Sequence, residues 1–275
     1  MKIFSLFSGI GGFDLAAKRE GHEIVGACEI DKYARQVYAK HFQGVPLHED
    51  ATKIKPEELP DFDILCAGFP CQPFSHAGRK NGFKDTRGTL FFEIARIAKE
   101  KKPRYLLLEN VKGLLSHSKG NTFRTILRTL NELGYDAEWQ IIDSKYFVPH
   151  ERKRLFIIGH LRGQNTRQIF PLGEISENSI KINKIKYYHK SNSQAYRVYN
   201  IEGVCPTLGA GHAMSQPLII QKNRIRRLMP VECERLQGLP DDYGKEISDT
   251  NRYSVIGNAV TVPVIEKIMK ELSLN

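Results

Sequence analysis

Apolar runs of strand length alternate with amphipathic segments through the first 160 residues of the chain. The predicted strands are residues 3–8, 23–30, 63–68, 105–110, 138–144 and 154–160. The predicted helices are residues 14–20, 32–41, 88–101, 121–133, 230–236 and 262–272. This order predicts an α/β fold with a doubly wound, mostly parallel sheet. Since a loop of about ten residues without a helix joins the last two strands, one of them is predicted to run antiparallel.

The alternation stops after residue 160. Residues 161–224 are polar and rich in Asn, Ser and Gly, with short strand-like pieces at 196–201 and 217–220. We therefore predict a large domain of residues 1–160 plus 228–275, into which a small domain of residues 161–227 is inserted.

Positive charge is concentrated in the inserted segment. Residues 162–227 contain eleven Lys or Arg and three acidic residues, which accounts for +8 of the chain's net charge of +10. A solvated basic face is the alternative interpretation of such an excess. The segment also contains tyrosines, glycines and amides, the mixture that phosphate and base contacts need. The composition therefore favours a nucleic-acid surface.

Composition is otherwise that of a globular protein of 275 residues, with 41% hydrophobic and 26% charged residues. No run approaches the ~18 apolar residues of a membrane span. The apolar start MKIFSLFSGIGGF leads into a glycine turn and not into a cleavage site, so we expect a cytoplasmic protein. The five cysteines show neither a paired-disulfide pattern nor Cys-x-x-Cys spacing, which predicts free thiols and no metal site.

The stretch FSLFSGIGGFDLA, residues 4–16, joins a strand, a glycine-rich turn and a helix start. Glycines there let the backbone approach a ligand at the amino end of the helix. The second strand ends in Glu29-Ile30-Asp31, where an acid can bond ribose hydroxyls, and Asp50 could accept from an adenine amino group. Acids at strand ends are usually only solvated, but the three features together predict an adenosine-containing ligand. The match to the nicotinamide fingerprint Gly-x-Gly-x-x-Gly is poor.

The stretch GFPCQPFS, residues 68–75, places Cys71 between Pro70 and Pro73. The prolines stop both helix and ladder, so Cys71 is predicted in a stiff loop just after a strand. Open α/β sheets place their ligands and chemistry at that edge. Cys66, inside the strand, is interpreted as a buried small hydrophobe.

Three charged residues are expected at the same edge. The predicted strands that precede Cys71 and that end near Glu109 run parallel and finish together. Arg152 and Arg154 alternate at strand spacing and so face one side. Beside a nucleophile and an acid, they are candidates for holding phosphate and a carbonyl oxygen. The alternatives are a capping role for Glu109 and a surface role for the arginines.

The order of these motifs resembles that of the DNA (cytosine-5) methyltransferases from Ile3 to about Val264. The matching pieces are FSGIGGFDLA, the acid in EID, Asp50, GFPCQPFS, RGTLFFEIARI, LLLENVKGL, HERKRLFIIG, RRLMPVECERLQGLP and YSVIGNAVTVPV. Nine pieces in the family's order are very specific. The least similar part, 161–224, is where that family places its target-recognition domain, and the rest would be the catalytic domain.

The resemblance implies an enzyme that transfers a methyl group from S-adenosylmethionine to C5 of a flipped cytosine in a short duplex DNA site. Cys71 would add to C6, and Glu109 would hydrogen-bond the N3 and amino edge of the base. Arg154 would hold the cytosine O2, and Arg152 would brace the catalytic loop or a phosphate. The positions implied for the cofactor are Phe7, Gly9, Gly11, Glu29 at the ribose, Ile30, Asp50 at the adenine, Pro70, Leu90, Asn258 and Val260.

The resemblance also implies DNA contacts, made partly by a loop, 75–89, that would close over the flipped base. Thr207-Leu208 resembles the family's Thr-Leu pair, whereas His150 stands where the family usually has Gln. The residues expected at DNA are Ser75, Arg79, Lys80, Arg87, Arg197, Thr207 and Arg227. The implied protein is a monomer from a bacterium or phage, acts on duplex DNA at the nucleoid, and can be accompanied by a cognate restriction endonuclease.

The sequence leaves three other functions open. A transfer-RNA cytosine-5 methyltransferase would share the fold, but the Cys-Phe-Thr tripeptide that we associate with that branch is absent from the insert. A catalytically silent DNA-binding protein would not need Cys71, Glu109 and both arginines together. A nicotinamide oxidoreductase would bind NAD and not S-adenosylmethionine.

Overall fold

The computed structural model describes residues 1–70, 90–172, 184–187, 197–211, 213–222 and 224–274. The strands of its larger sheet are β1 (Lys2–Leu6), β2 (Glu23–Cys28), β3 (Leu47–His48), β4 (Ile64–Gly68), β5 (Tyr105–Val111), β6 (Tyr135–Asp143) and β7 (Lys153–Leu161). They lie in the order β3-β2-β1-β4-β5-β7-β6. All neighbours are parallel except that β7 runs antiparallel to both β5 and β6. The predicted mostly parallel sheet with one reversed strand is confirmed.

Helices cover both faces of this sheet. They are α1 (Gly12–Arg19), α2 (Lys32–His41), α3 (Leu90–Lys101), α4 (Asn121–Glu132), α5 (Pro230–Leu236), α6 (Asp249–Asn258) and α7 (Val262–Ser273). Two of them have the bounds that the sequence predicts. Asp31 caps α2 by accepting from the backbone N–H groups of Tyr33 and Ala34, and Pro230 begins α5.

The core has two large hydrophobic clusters, one on each side of the sheet, and a small third cluster of Ala27, Tyr38 and Phe42. On one side, strand residues such as Ile3, Cys66 and Leu107 pack with α1, α6 and α7. On the other, Phe4 and Leu65 pack with α3 and α4. Strands buried on both faces are expected of a covered parallel sheet, and the interpretation of Cys66 as a buried hydrophobe is confirmed.

Two predicted strands are too long at their carboxyl ends. The strand predicted at 3–8 ends at Leu6, because Phe7 takes a positive φ of 55° that no strand allows. The strand predicted at 23–30 ends at Cys28, where the chain turns toward the cap of α2.

A second, four-stranded sheet lies within the predicted inserted domain. Its strands are β8 (Lys184–Tyr187), β9 (Arg197–Asn200), β10 (Leu218–Gln221) and β11 (Arg224–Arg227), in the order β11-β10-β9-β8. β9 and β10 pair in parallel, and the other two pairs are antiparallel. The sequence predicted only two of these strands.

Within the ranges that the structure describes, no helix combines the length and the apolar character needed to cross a membrane. The four cysteines in those ranges, residues 28, 66, 205 and 233, are free thiols as predicted.

Asp14 in the first turn of α1 makes the stability of the fold depend on pH. Its carboxyl is 0% exposed, and burial raises its pKa from 3.8 to about 6, against the opposing effect of the Ser5 and Tyr38 hydroxyls. The folded protein therefore holds this proton more tightly than the unfolded chain, and that stabilisation is lost as pH rises through 6.

We expect the wild-type protein to lose about 1 kcal/mol more of its free energy of unfolding between pH 5 and pH 8 than Asp14→Asn loses. Urea unfolding at the two pH values measures this difference. Asp136→Asn, at a side chain that is 71% exposed, is the control and should keep the wild-type dependence. Parallel behaviour of wild type and Asp14→Asn would contradict the assignment.

Candidate active site

The chain leaves β4 beside the end of β5. Gly68 is paired in register with Glu109, so the two parallel strands finish at the same level. Asn110 is buried, and its side-chain amide donates to the carbonyl oxygen of Phe69 at 2.8 Å. This bond fixes the direction of the segment that leads to Cys71, which itself lies outside the described residues. The predicted common edge is confirmed for the two strands.

Glu109 projects into a buried, positively charged surrounding. Nε of Arg154 lies 3.1 Å from Oε1 of Glu109, and the Glu109 side chain is only 11% exposed. Burial raises the pKa of Glu109, while Arg152 and Arg154 oppose that rise. The carboxyl therefore holds a proton more readily than an exposed glutamate, and it can donate a hydrogen bond to a base. Glu109 therefore does not have the alternative role of a helix cap.

Arg152 is buried and its side chain is bonded to the backbone. It is 3% exposed, and its guanidinium donates to the carbonyl oxygens of Gly257 at 3.2 Å and Ala259 at 2.9 Å. Burial and Arg154 lower the pKa of Arg152 to about 10, which still leaves it cationic at neutral pH. These contacts favour a bracing role for Arg152, and its predicted role at the catalytic loop or a phosphate stays a prediction.

The glycine turn and Glu29 form a second, connected part of the site. Gly9 and Gly11 have φ values of 56° and 87°, which glycine adopts at little cost. Gly9 N–H donates to Oε2 of Glu29 at 2.7 Å, and Asp31 N–H donates to Oε1 at 2.8 Å. The carboxylate is thus held in one orientation, and each oxygen keeps a lone pair for a ribose hydroxyl.

An apolar surface and a second acid lie next to Glu29. Ile30 is 69% exposed, an unusual position for a large aliphatic side chain and a suitable one for a flat ring to cover. Oδ1 of Asp50 accepts from the backbone N–H of Thr52 at 3.0 Å and from its hydroxyl at 2.7 Å, and these bonds lower the pKa of Asp50. These residues fit the adenosine end of S-adenosylmethionine.

The carboxyl-terminal segment packs onto the same turn. A Cβ on Gly12 would lie 2.7 Å from Cγ2 of Val260, so these two residues are in close contact. Asn258 is exposed beside Val260, and Pro70 is exposed and Leu90 half-buried at the two limits of the undescribed segment 71–89. The carboxyl-terminal segment therefore lies against the start of α1.

Comparison with known proteins agrees with this geometry. The model of the C-5 cytosine-specific DNA methylase family matches residues 1–194 and 165–274. The chain belongs to this family. A relative, Type II methyltransferase M.NgoBI of Neisseria gonorrhoeae, is 40% identical over 300 residues, covering 99% of this chain and 93% of the relative. Type II methyltransferase M.HhaI of Haemophilus parahaemolyticus is 34% identical over 305 residues, covering 98% and 93%.

A solved structure of S. pombe Dnmt2 methyltransferase is similar in fold to this DNA methylase family member. Its TM-score is 0.75 at 18% sequence identity, and the match covers 100% of this chain and 99% of that one. At this identity the likeness concerns the fold alone.

The predicted DNA contacts of this methylase family member are only partly described. Thr207 donates its hydroxyl to the carbonyl oxygen of Glu151 at 2.7 Å, and Arg227 donates to that of Gln216 at 2.7 Å. Arg197 is the first residue of β9. The remaining predicted positions lie outside the described residues: Ser75, Arg79, Lys80 and Arg87.

The sequence analysis did not identify a role for Asn110. The structure shows that it joins β5 to the chain that leads to Cys71. The available signal was its place directly after Glu109 at the end of a buried strand. A buried amide at such a point needs a partner, and the nearest backbone belongs to the neighbouring strand.

Proposed function

We propose that this protein is a site-specific DNA methyltransferase that methylates C5 of a flipped cytosine through a transient bond between Cys71 and C6. The observation that carries the proposal is the buried Glu109 carboxyl. It lies level with the end of the strand that leads to Cys71, and it is paired with Arg154. Family membership supports the same chemistry.

In this proposal the chain's own residues carry out the addition to C6 and stabilise the charge that develops at N3 and O2. The Cys71 thiolate adds to C6, and the electron pair displaced from the C5–C6 bond is taken up toward N3, where Glu109 donates a proton or hydrogen bond. Arg154 holds the cytosine O2. Bound S-adenosylmethionine supplies the methyl group that C5 accepts. Solvent then takes the C5 proton, the C5–C6 double bond re-forms, the Cys71 thiolate leaves C6, and Glu109 recovers the proton that it gave to N3.

The thiol of Cys71 needs activation for the first step. An unperturbed thiol with a pKa near 8.5 is only about 3% ionised at pH 7. Cations near the sheet edge favour the thiolate, and Arg154 lies at that edge beside Glu109.

The cofactor would be held at the glycine turn. In this proposal Phe7, Gly9 and Gly11 face it, Glu29 binds the ribose, and Ile30 covers the adenine. Asp50 would accept from the adenine amino group with an oxygen that Thr52 does not use. The methionine end would reach the positions that the sequence assigns to it, Pro70, Leu90, Asn258 and Val260.

The target would be a short site in duplex DNA. Flipping a cytosine costs a few kcal/mol, which contacts from the basic insert and the segment 75–89 would offset. A module of this size suits a site of about four to six base pairs. We propose residues 161–227 as the target-recognition domain, a monomeric enzyme at the nucleoid, and a cognate endonuclease for the same site.

Expression in a host without DNA methylation, followed by bisulfite sequencing, tests the activity and its specificity together. We expect one short sequence motif to carry 5-methylcytosine at a single position. Transfer-RNA methylation without any DNA methylation would overturn the proposal in favour of the RNA-modifying alternative. An unmodified genome and unmodified transfer RNA, from cells containing folded protein, would overturn it in favour of a silent DNA-binding protein.

A further inference from the structure

His150 connects two distant parts of the chain at one buried point. Its imidazole is 0% exposed. Nδ1 lies 3.2 Å from the carbonyl oxygen of Leu236, at the end of α5, and the backbone N–H of Leu208 donates to Nε2 at 3.2 Å. The ring therefore touches residues 205–211, here called the recognition segment, and helix α5, which follows that segment in the chain.

The two partners determine the protonation of the His150 ring. A carbonyl oxygen only accepts and an amide N–H only donates, so both bonds form only when Nδ1 carries the proton and Nε2 does not. Burial, Arg152 and Arg154 together lower the pKa of His150 to about 3. The ring is therefore neutral at any pH at which the enzyme would work.

Backbone bonds run alongside this contact. Cys205 N–H donates to the carbonyl oxygen of Pro149 at 2.8 Å, and Glu151 N–H donates to that of Cys205 at 2.7 Å. The Thr207 hydroxyl donates to the carbonyl oxygen of Glu151 at 2.7 Å. The recognition segment thus lies beside the chain that continues directly into Arg152.

The far side of the same segment rests on α6. A Cβ on Gly257 would lie 2.5 Å from the carbonyl oxygen of Gly209, so only glycine allows this approach. The carbonyl oxygen of Gly257 in turn accepts from Arg152 at 3.2 Å. A shift of the recognition segment would therefore be transmitted to Arg152 from both sides.

We propose that His150 is a positioning residue that fixes the segment carrying Thr207 relative to the strand carrying Arg154. The inference rests on the proposed function, in which Thr207 lies at the DNA and Arg154 at the target cytosine. Without the imidazole, the Leu208 N–H and the Leu236 carbonyl are left unpaired in a buried place, and the segment moves to regain partners. The distance between Thr207 at the DNA and Arg154 at the target cytosine then changes.

Three variants of the full-length protein separate this role from general stability. His150→Leu removes both bonds at similar volume, whereas His150→Gln keeps one donor and one acceptor. His160→Leu is the matched control, because His160 lies at the other end of β7 and bonds Oε1 of Glu138 at 2.8 Å, away from the junction. Four quantities are measured. They are kcat/KM on an oligonucleotide that contains the unmethylated target site, kcat/KM on oligonucleotides that differ from it by one base, S-adenosylmethionine binding, and amide exchange at Leu208.

We expect His150→Leu to lose at least about tenfold in the ratio of kcat/KM between the correct site and its variants. Faster exchange at Leu208 and unchanged S-adenosylmethionine binding should accompany that loss. His150→Gln should stay close to wild type in all four measurements, and His160→Leu should keep the wild-type ratio even if it is less stable.

A wild-type ratio in His150→Leu would overturn the proposal, as would equal defects in His150→Gln and His150→Leu. A wild-type protein that methylates nothing would overturn the proposed function instead. In that case amide exchange at Leu208 still decides whether His150 holds the segment, since unchanged protection in His150→Leu would contradict it.

Discussion

Cys71→Ser is expected to reduce DNA methylation to background and to abolish covalent capture on DNA that contains 5-fluorocytosine. Fluorine at C5 cannot leave as a proton does, so the bond between the nucleophile and C6 is trapped once the methyl group has been transferred. A serine hydroxyl ionises far less readily than a thiol and is a much weaker nucleophile without a dedicated base. Denaturing electrophoresis of the protein–DNA adduct measures the loss.

Cys66→Ala is the matched control for this experiment. Cys66 lies five positions earlier in the chain, is 0% exposed, and has a pKa that burial raises well above that of a free thiol. Its removal should lower stability without affecting capture, because a buried thiol in the middle of β4 cannot reach a base. Capture by Cys71→Ser, or its loss in a folded Cys66→Ala protein, would contradict the assignment of the nucleophile.

The sequence predicts the parallel core of this fold well for a physical reason. Strands that are covered on both faces are continuous apolar runs, and each ends where a glycine, proline or acid changes the local chemistry. Helix α2 is predicted to the residue because Asp31 is a strong cap, and α5 because Pro230 can only begin a helix.

The unpredicted elements depend on contacts with other elements and not on their own residue pattern. Helix α6 buries Arg252, which a sequence pattern interprets as an exposed residue. In the fold its guanidinium lies 2.9 Å from Oε1 of the fully buried Glu234, so the two charges can be buried together. In the second sheet, β8 and β11 are only four residues long and contain two and three basic residues, so neither forms an apolar run.

The candidate site likewise has one part that the sequence predicts and one part that it does not. The common level of Gly68 and Glu109 follows from two parallel strands of similar length, and sequence reasoning reaches it. The contacts of Arg152 with Gly257 and Ala259 join positions more than 100 residues apart, and no local pattern contains them. In those contacts two backbone carbonyl oxygens accept from the Arg152 guanidinium.

Glu109→Gln is expected to reduce kcat by about 10²- to 10⁴-fold, the usual contribution of a positioned proton donor. Glutamine keeps the shape and can still accept from Arg154, but it has no proton to give to N3. The KM for DNA should change little, since the amide still reaches the base edge. Glu132→Gln, at the 50% exposed end of α4, is the control and should keep wild-type kcat.

The pH dependence adds a second, independent test of Glu109. Because burial raises its pKa, the carboxyl keeps its proton to a higher pH than a free glutamate does. Arg154 opposes that rise, so Arg154→Gln should move the Glu109 midpoint to still higher pH, as followed by NMR of ¹³C-labelled glutamate. In the wild-type enzyme, the pH profile of kcat should contain a step at the Glu109 midpoint. This step should be missing from the profile of Glu109→Gln. A Glu109→Gln enzyme with wild-type kcat and an unchanged profile would show that N3 receives its proton from another source.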